Sequence, residues 1–363
     1  MSDFAPVTPV VQFGTSRFLQ AHADLFFSEA ADPVAVTVVQ SSGDASRAAR
    51  LDALAQGYPV RIRGVQDGAT VDEERRVTSV TRTLSTATDW DELARVVTHE
   101  AQVILSNTGD RGYAPLPADM DATPSQAMSY PAKLCHLLAA RHASGCAPLS
   151  IFPMELVPEN GRVLKARVLE IAAGNVALTE WLERCVWVNS LVDRIVSEPL
   201  EPAGAVAEPY ALWAIEAGPG VEVPCRHPAV QLVPDLEAIE RLKLHILNLG
   251  HSALVDIWQR EGADPNRFVR HMMEAPAAQE LAAIYAEEVL PGFAQRGYEA
   301  EAEAYLQVTL DRFRNPFLDH RLSDIAQNHA QKVERRIAAF TQWVGPEGPA
   351  TPKLDAIVQR AQP

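Results

Sequence analysis

Along the first half of the chain, short and nearly unbroken apolar runs alternate with stretches whose apolar positions recur at helical spacing. Val7–Phe13 reads as a buried strand, and Ser16–Glu29 (SRFLQAHADLFFSE) as the helix after it. Ala35–Gln40 (AVTVVQ) is a second strand and Ala45–Ala55 a second helix. Tyr58–Ser85 alternates apolar and polar positions, as in VRIRGV and VTSVTRTLS, the signature of a hairpin or meander. Trp90–His99 is a helix opening from an Asp89 cap, Gln102–Ser106 (QVILS) a strand and Tyr130–His142 a helix. Leu149–Val157 (LSIFPMELV) and Val186–Val196 are further strands, with helices between them. Strands that are apolar on both faces, each followed by a helix, predict a mostly parallel, doubly wound sheet.

The pattern then changes. Ser197–Pro209 (SEPLEPAGAVAEP) is rich in Pro, Ala and Glu and reads as a connection, and Leu212–Ala217 with Ala229–Val233 reads as a hairpin. From Asp235 onward the spacing is helical almost throughout: Leu236–Trp258, Pro265–Met273, Ala277–Val289, Glu299–Asp311, Leu322–Val344 and a short Lys353–Ala361. The fold class expected is α/β: an N-terminal Rossmann-like, doubly wound sheet domain over residues 1–200, followed by an all-helical C-terminal domain over residues 201–363.

With 363 residues, 47% of them hydrophobic and 22% charged, the chain can build a sizeable core without a disulfide or metal staple. Its net charge of -15 argues against nucleic acid, which needs a basic face to displace counterions, and against an anionic membrane surface. No run approaches the roughly 18 apolar residues of a membrane span. The opening MSDFAPVTPVVQFG lacks a charged region followed by an apolar run, so a cytoplasmic protein is expected. Cys135, Cys146, Cys185 and Cys225 form no C-x-x-C pair; reduced, packed thiols are expected and no metal site. Lysine is scarce: only Lys133, Lys165, Lys243, Lys332 and Lys353 occur, so a lysine inside a strong pattern stands out.

Four segments carry candidate chemistry. In Phe13–His22 (FGTSRFLQAH), a strand runs into a glycine turn and a helix start, the geometry that receives a pyrophosphate. Gly14 stands where the tight turn belongs, while Ser16 occupies the usual second glycine position; a purely structural turn fits equally well. At the tip of the second strand, where an acid normally takes the adenosine ribose, the chain reads Gln40-Ser41-Ser42-Gly43-Asp44. The missing acid leaves NADP open beside NAD, with Ser41, Ser42 or Arg47 as phosphate partners; Asp44 serves NAD or caps a helix. In Ser106–Tyr113 (SNTGDRGY), at the carboxyl end of a strand, Asn107 offers groups to a nicotinamide or builds an Asn-Gly turn.

The third segment, Leu236–Trp258 (LEAIERLKLHILNLGHSALVDIW), is the most informative. At about 100° per residue, Asn248 lies roughly 140° and His251 roughly 80° around the helix from Lys243, so all three share one broad face. Buried polar groups are costly unless paired, and three on one face suggest a polar cavity. Burial lowers the pKa of a lysine, and a neutral lysine is a usable base for an alcohol proton. Asn248 could hold the developing oxygen charge, His251 a substrate hydroxyl, and Glu240 stands three residues before Lys243, within reach of a helix-surface pair. The alternative is a solvated Glu240–Lys243 pair with a satisfied core histidine. In the fourth segment, Asp311–His320 (DRFRNPFLDH), Arg312 and Arg314 are either carboxylate ligands or paired with nearby acids.

Together these segments resemble the zinc-independent polyol and sugar-acid dehydrogenases of the mannitol dehydrogenase family, most closely the tagaturonate reductase (altronate oxidoreductase) branch. Lys243, Asn248 and His251 match its catalytic signature in type and spacing, and QFGTSRFLQAH, ILSNTGDRGY, MSYPAKL, PMELVPENG, NSLVDRIV, KLHILNLGHSALV and DRFRNPFLDH are similar to its segments in order, over most of residues 8–335. The resemblance implies Lys243 as general acid/base, Asn248 as stabiliser of the oxygen that becomes the carbonyl, His251 as substrate-positioning group and Glu240 in proton exchange. It implies Gly14, Ser16, Phe18, Gln40, Asn107, Thr108 and Asp193 near a nicotinamide cofactor, NAD with NADP still open, and Arg312, Arg314, Asn315 and His320 in the substrate pocket. No metal is implied. The departures are Ser16, Gln20 in place of the family's usual arginine, and Met154-Glu155-Leu156 where the hexitol enzymes carry a C-D-N-like segment. The tagaturonate reductases also have Glu-Leu there, and the arginine of RFRNP, Arg314, points to the same branch. The chain is also shorter than most of the family, with the trimming expected around the middle connection and the C-terminus.

The leading expectation is an NAD(P)-dependent oxidoreductase interconverting a sugar acid and its keto form by direct hydride transfer. A hexitol or pentitol dehydrogenase is the alternative, and a catalytically silent dinucleotide or sugar binder a third. A small-molecule partner is expected, with a homo-oligomer left open.

Overall fold

Strands β1 (Val10–Phe13) and β2 (Val36–Gln40) bury every residue, which requires helices on both faces of their sheet. The structure is a computed structural model describing residues 7–44, 48–109, 112–274 and 276–362. Arg47, the expected start of the second helix at Ala45, and the Asp110-Arg111 pair of SNTGDRGY lie outside the described residues. The remaining strands are β3 (Tyr58–Gln66), β4 (Ala69–Val77), β5 (Val80–Ser85), β6 (Val103–Ser106), β7 (Ser150–Pro153), β8 (Val186–Trp187), β9 (Ser190–Asp193), β10 (Val196–Pro199), β11 (Ala205–Ala207), β12 (Leu212–Glu216) and β13 (Val230–Val233). A six-stranded sheet has the order β5-β2-β1-β6-β7-β8, with parallel pairing between neighbours. Counted in chain order, that is the doubly wound order 3-2-1-4-5-6, with its switch point between β1 and β6. The α/β class and the helix-rich C-terminal region are as the sequence predicts.

Several elements differ from the sequence reading. Ser197–Pro209 is not a plain connection: it holds β10 and β11, and β11 pairs in parallel with β3 through residues 205–207. That strand is three buried residues long with alanine, a poor strand former, at two of them, so it carries little signal. β12 and β13 are parallel rather than a hairpin, because the connection over residues 217–229 brings the chain back to the start of β12. Val186–Val196 breaks into β8, β9 and the start of β10. Asp89 precedes its helix without capping it through its side chain; its carboxylate instead accepts from the Ser85 backbone N–H at 2.8 Å. The helical stretch expected over Leu322–Val344 is interrupted at Asn328, which adopts a left-handed φ of 55°. The predicted hairpin between β3 and β4 does form, turning on Asp67 and Gly68 at φ 52° and 73°, as an Asp-Gly turn of the primed type requires.

The chain forms two compact units. The first comprises Met1–Ile62, Glu73–Ala207 and Ala211–Leu236, the second Arg63–Asp72, Glu208–Tyr210 and Glu237–Pro363. Val11, Phe13, Val39 and Ile104 of the sheet pack with Leu93, Leu134, Leu137 and Val168 of its helices in the first core. Ile246, Leu254, Ile284, Phe313 and Phe340 centre the second. Cys135, Cys185 and Cys225 are buried free thiols, pushed up to about 11, 11 and 12 by burial. No helix among the described residues is long and apolar enough to cross a membrane.

In the helix Ala23–Glu29 and at its N-cap, two buried groups have pKa values shifted in ways that act oppositely on stability. Asp24 accepts from the Tyr58 hydroxyl at 2.6 Å, and burial pushes its carboxyl from 3.8 up to about 7. His22 donates from Nε2 to the Leu212 carbonyl at 2.9 Å, and burial lowers it from 6.5 to about 3. The fold therefore favours protonated Asp24, whose contribution is lost as pH rises from 3.8 to about 7. It also favours neutral His22, whose contribution is lost as pH falls from 6.5 towards about 3. Asp24→Asn keeps an acceptor for Tyr58 and removes one titration. Its stability relative to wild type is expected to rise between about pH 4 and 7, on the order of 1 kcal/mol per pH unit, in chemical denaturation across that range.

Candidate active site

The switch point of the sheet brings two of the predicted segments together. Gly14 follows β1 and Asn107 follows β6; the Gly14 N–H reaches the Val39 carbonyl at 3.0 Å and the Asn107 N–H the Phe13 carbonyl at 2.9 Å. Gly14 has φ 133°, and a Cβ there would stand 2.7 Å from the Asn107 carbonyl oxygen, so only glycine lets the two strand ends close up. Ser16 caps the short helix Arg17–Gln20, its Oγ accepting from the Leu19 N–H at 3.2 Å. Its side chain is thereby turned onto the helix end. Gln20 ties the same turn down by donating to the Thr15 carbonyl (3.1 Å) and accepting from the Gly204 N–H (2.7 Å). Phe18 stacks on His22, with ring centroids 4.7 Å apart. Asp193 is buried at the end of β9, in register with Leu212.

A residue to which the sequence reading gave no role in the site organises the second segment. Glu155, 3% exposed just beyond β7, accepts from the Ser106 hydroxyl (3.0 Å), the Thr108 N–H (3.0 Å), the Thr108 hydroxyl (3.0 Å) and the Tyr113 hydroxyl (2.6 Å). Asn107 donates from Nδ2 to the Met154 carbonyl at 2.8 Å. A buried carboxylate with this many donors fixes the loop after β6. Leu156, next in the chain, is 69% exposed. The only sequence signal was the glutamate of PMELVPENG, an acid inside an apolar run.

At the tip of β2, Gln40 is buried and donates to the Ser42 hydroxyl (3.2 Å) and the Asp44 carbonyl (2.8 Å), closing its own turn. The Ser41 carbonyl accepts from Gln126 (2.6 Å) and from Lys133 Nζ (2.9 Å), and burial lowers Lys133 to about 8. Turn and loop residues at the carboxyl ends of β1, β2 and β6, flanking the switch point, suit a dinucleotide.

In the second unit the helix bearing Lys243 is not regular. Residues Lys243–Asn248 form a π-helical turn, marked by the Leu249 N–H reaching the Leu244 carbonyl. Bonding of i→i+5 type stacks residue 248 back over residue 243, so Lys243 and Asn248 stand closer in angle than the α-helical spacing predicts. Both are half-buried and Glu240 is exposed. His251 is buried, its ring 4.6 Å from Phe313 and 4.9 Å from His320, and burial with nearby positive charge holds it well below 6.5. It is a neutral imidazole at pH 7.

The widened turn is braced from two other helices. The Tyr285 hydroxyl, kept protonated by burial, donates to the Ile246 carbonyl at 2.9 Å. Gly250 makes room for it, since a Cβ there would fall 1.9 Å from that hydroxyl. Arg336 donates to the Asn248 carbonyl (3.4 Å) and the Ser252 hydroxyl (3.2 Å).

In the RFRNP segment, Arg312 takes the second of its two readings and is paired with an acid. Arg312 is buried and doubly paired with Glu208, Nε to Oε2 at 3.0 Å and Nη2 to Oε1 at 2.8 Å, with Tyr210 against its face at 4.7 Å. Its guanidinium fork is thus engaged by the protein. Arg314 is exposed. Asn315 accepts from the Phe317 N–H at 3.0 Å and so builds the turn. A cavity of about 550 Å³ is lined by Arg312, Arg314 and Asn315 with Asp67, Glu208 and Asp311 among others; Lys243, Asn248, His251 and His320 are not among its lining residues. Among the described residues no three of His, Cys, Asp and Glu are grouped so as to hold a metal ion.

Two family models match the chain in succession. The mannitol dehydrogenase Rossmann domain matches residues 8–223 and the mannitol dehydrogenase C-terminal domain residues 235–347. An altronate oxidoreductase of Halalkalibacterium halodurans is 30% identical over 94% of this chain and 72% of its own length. The altronate oxidoreductase of Yersinia pestis bv. Antiqua is 32% identical over 90% of this chain and 73% of its own. Among solved structures, a D-sorbitol dehydrogenase in substrate-free form gives a TM-score of 0.77 at 19% identity, covering 93% of this chain and 76% of that one. Pseudomonas fluorescens mannitol 2-dehydrogenase, in a ternary complex with NAD and D-mannitol, gives 0.70 at 20% identity over 98% and 84%. These two show the shared fold.

Two mutational outcomes follow from the helical unit. Tyr285→Phe removes one buried hydrogen bond and should cost about 1–3 kcal/mol in denaturant unfolding while lowering kcat more than it raises KM; Gly250→Ala should destabilise further. Arg312→Gln removes both charge-assisted bonds to the buried Glu208 and should cost about 3–5 kcal/mol of stability, a loss that denaturant titration would reveal whatever the substrate.

Proposed function

On the premise that the chain belongs to the mannitol dehydrogenase family, we propose that it interconverts a sugar acid of the altronate type and its keto form with a nicotinamide dinucleotide, using Lys243 as general acid/base. It is a dehydrogenase/reductase of CH–OH groups, acting on a polyol or sugar acid. The sugar-acid choice is supported by the relatives named altronate oxidoreductase. The observation that carries the mechanism is the π-helical turn, which draws Lys243 and Asn248 towards one face.

The bound dinucleotide would supply a hydride acceptor at nicotinamide C4. The first unit's own part is to hold it: Gly14, Ser16 and Phe18 after β1, Gln40 at the β2 tip, Asn107 and Thr108 after β6, and Asp193 on β9. NAD is the expected form; with Gln40 rather than an acid at the tip, NADP fits as well. In oxidation, Lys243 accepts the hydroxyl proton at Nζ while the carbon-bound hydrogen leaves with its electron pair and the C–O bond becomes a carbonyl. Asn248 donates from Nδ2 to the oxygen as its charge develops. Neutral His251 hydrogen-bonds a substrate hydroxyl, with His320 at its edge. Glu240, exposed one turn before Lys243, passes the proton on to solvent. Reduction runs the same steps backwards, with Lys243 returning its proton.

The test follows absorbance at the reduced-nicotinamide band with NADH or NADPH and tagaturonate, beside fructose. Turnover of the keto acid that falls by about 10²–10⁴-fold in Lys243→Ala is expected. Turnover of the neutral ketose alone would move the protein to polyols, and activity surviving in Lys243→Ala would sink the mechanism.

A further inference from the structure

The helical unit holds two further cations that the proton-transfer chemistry leaves unused. Lys332 lies in the helix His329–Val333 and Arg336 in the π-helical Glu334–Ala338 that continues it, four residues on. Like charges at that spacing repel. Arg336 donates to the Ser252 hydroxyl (3.2 Å) and the Asn248 carbonyl (3.4 Å), and Lys332 Nζ to the Ile325 carbonyl (2.7 Å). Every one of these acceptors is neutral. Among the described residues, neither cation forms an ion pair with a carboxylate. Burial pushes both below their ordinary range, and the Arg336 charge depresses Lys332 further.

The carboxylates that bear on the neighbouring histidines do not fill this gap. Asp256, which acts on His329, is gripped by Arg260 at 3.1 Å and by both nitrogens of the Arg360 fork at 2.8 Å. Asp324 is exposed and acts on His320. The positive charge of Lys332, Arg336 and Arg312 falls instead on His251. Of these three, Arg312 already has Glu208 in its fork. A half-buried positive pair beside Asn248 and His251, lacking its own anion, is a site that an anion completes.

We propose that Lys332 and Arg336 receive the carboxylate of the substrate and set the preference for a sugar acid over a neutral polyol. This rests on the sugar-acid reading above and replaces Arg312 and Arg314 as the carboxylate ligands. Arg336 offers a planar fork of donors and Lys332 a point charge. A substrate ending in a hydroxymethyl group would leave both cations desolvated and unpaired, so discrimination has a repulsive as well as an attractive part.

The experiment measures steady-state kinetics of altronate and D-mannitol oxidation, and calorimetric binding of altronate, for wild type, Arg336→Gln, Arg336→Lys, Lys332→Gln and Arg314→Gln, with melting temperatures as the folding control. Arg336→Gln and Lys332→Gln should each raise the altronate KM and Kd about tenfold or more, the loss of a charge-assisted contact, with a much smaller change in kcat for Lys332→Gln. Arg336→Lys should recover part of the loss, Arg314→Gln should leave altronate unaffected, and Lys332→Gln should leave D-mannitol kinetics unchanged or improved; Arg336→Gln also loosens the turn at Asn248, so it should lower kcat with both substrates but raise KM with altronate alone. Equal rises in KM with altronate and mannitol would reduce the pair to a structural brace and overturn the proposal. So would an unchanged altronate KM, or a rise only in Arg314→Gln. Wild type that oxidises mannitol but neither oxidises nor binds altronate would overturn the sugar-acid reading itself, a result separable from a failure in the variants.

Discussion

Widening a helical turn to i→i+5 bonding inside a packed helical unit disturbs the backbone ladder, and a buried carbonyl left without a partner costs about 1–3 kcal/mol. The turn at Lys243–Asn248 survives because its carbonyls are taken up by side chains, two of them from other helices. Tyr285 donates to Ile246, and Ser252 and Arg336 to Asn248. Gly250 is the geometric condition, since any side chain there would occupy the place of the Tyr285 hydroxyl. The helix that carries the proton-transfer residues is thus held in an irregular shape by its neighbours.

The sheet unit meets the same requirement at its strand ends. Parallel strands leave loops at their carboxyl ends whose polar groups have no ladder to join, and buried side chains take that part. Glu155 collects four donors from Ser106, Thr108 and Tyr113. Gln40, Gln126 and Lys133 do the corresponding work after β2. These loops are therefore held by the protein's own hydrogen bonds, which lowers the ordering cost of binding.

Charge in the helical unit divides by whether it is compensated. Arg312 is as buried as a core residue and is matched by Glu208. Lys332 and Arg336 are surrounded by neutral acceptors. In a low-dielectric setting the first arrangement is complete and the second is not. Motif likeness gives no means of telling these arginines apart, because pairing depends on a glutamate 104 residues away in the chain.

The doubly wound sheet was legible because apolar runs such as VVQF and VTVVQ need cover on both faces. The helical second half was legible for the same kind of reason, since apolar spacing is a local property of the chain. Lys243, Asn248 and His251 could be placed on one helix from spacing and residue type alone. What could not be read is whatever depends on a distant partner. The π-helical turn exists through Tyr285 and Arg336, and local periodicity assumes the regular helix. β11 is a strand because β3 lies beside it, although two of its three residues are alanine. Glu155 and Glu208 matter through the donors that converge on them, and two acids among many in an acidic chain carry no such mark. Local pattern chose the elements, and long-range satisfaction of buried polar groups decided which side chains were left to act.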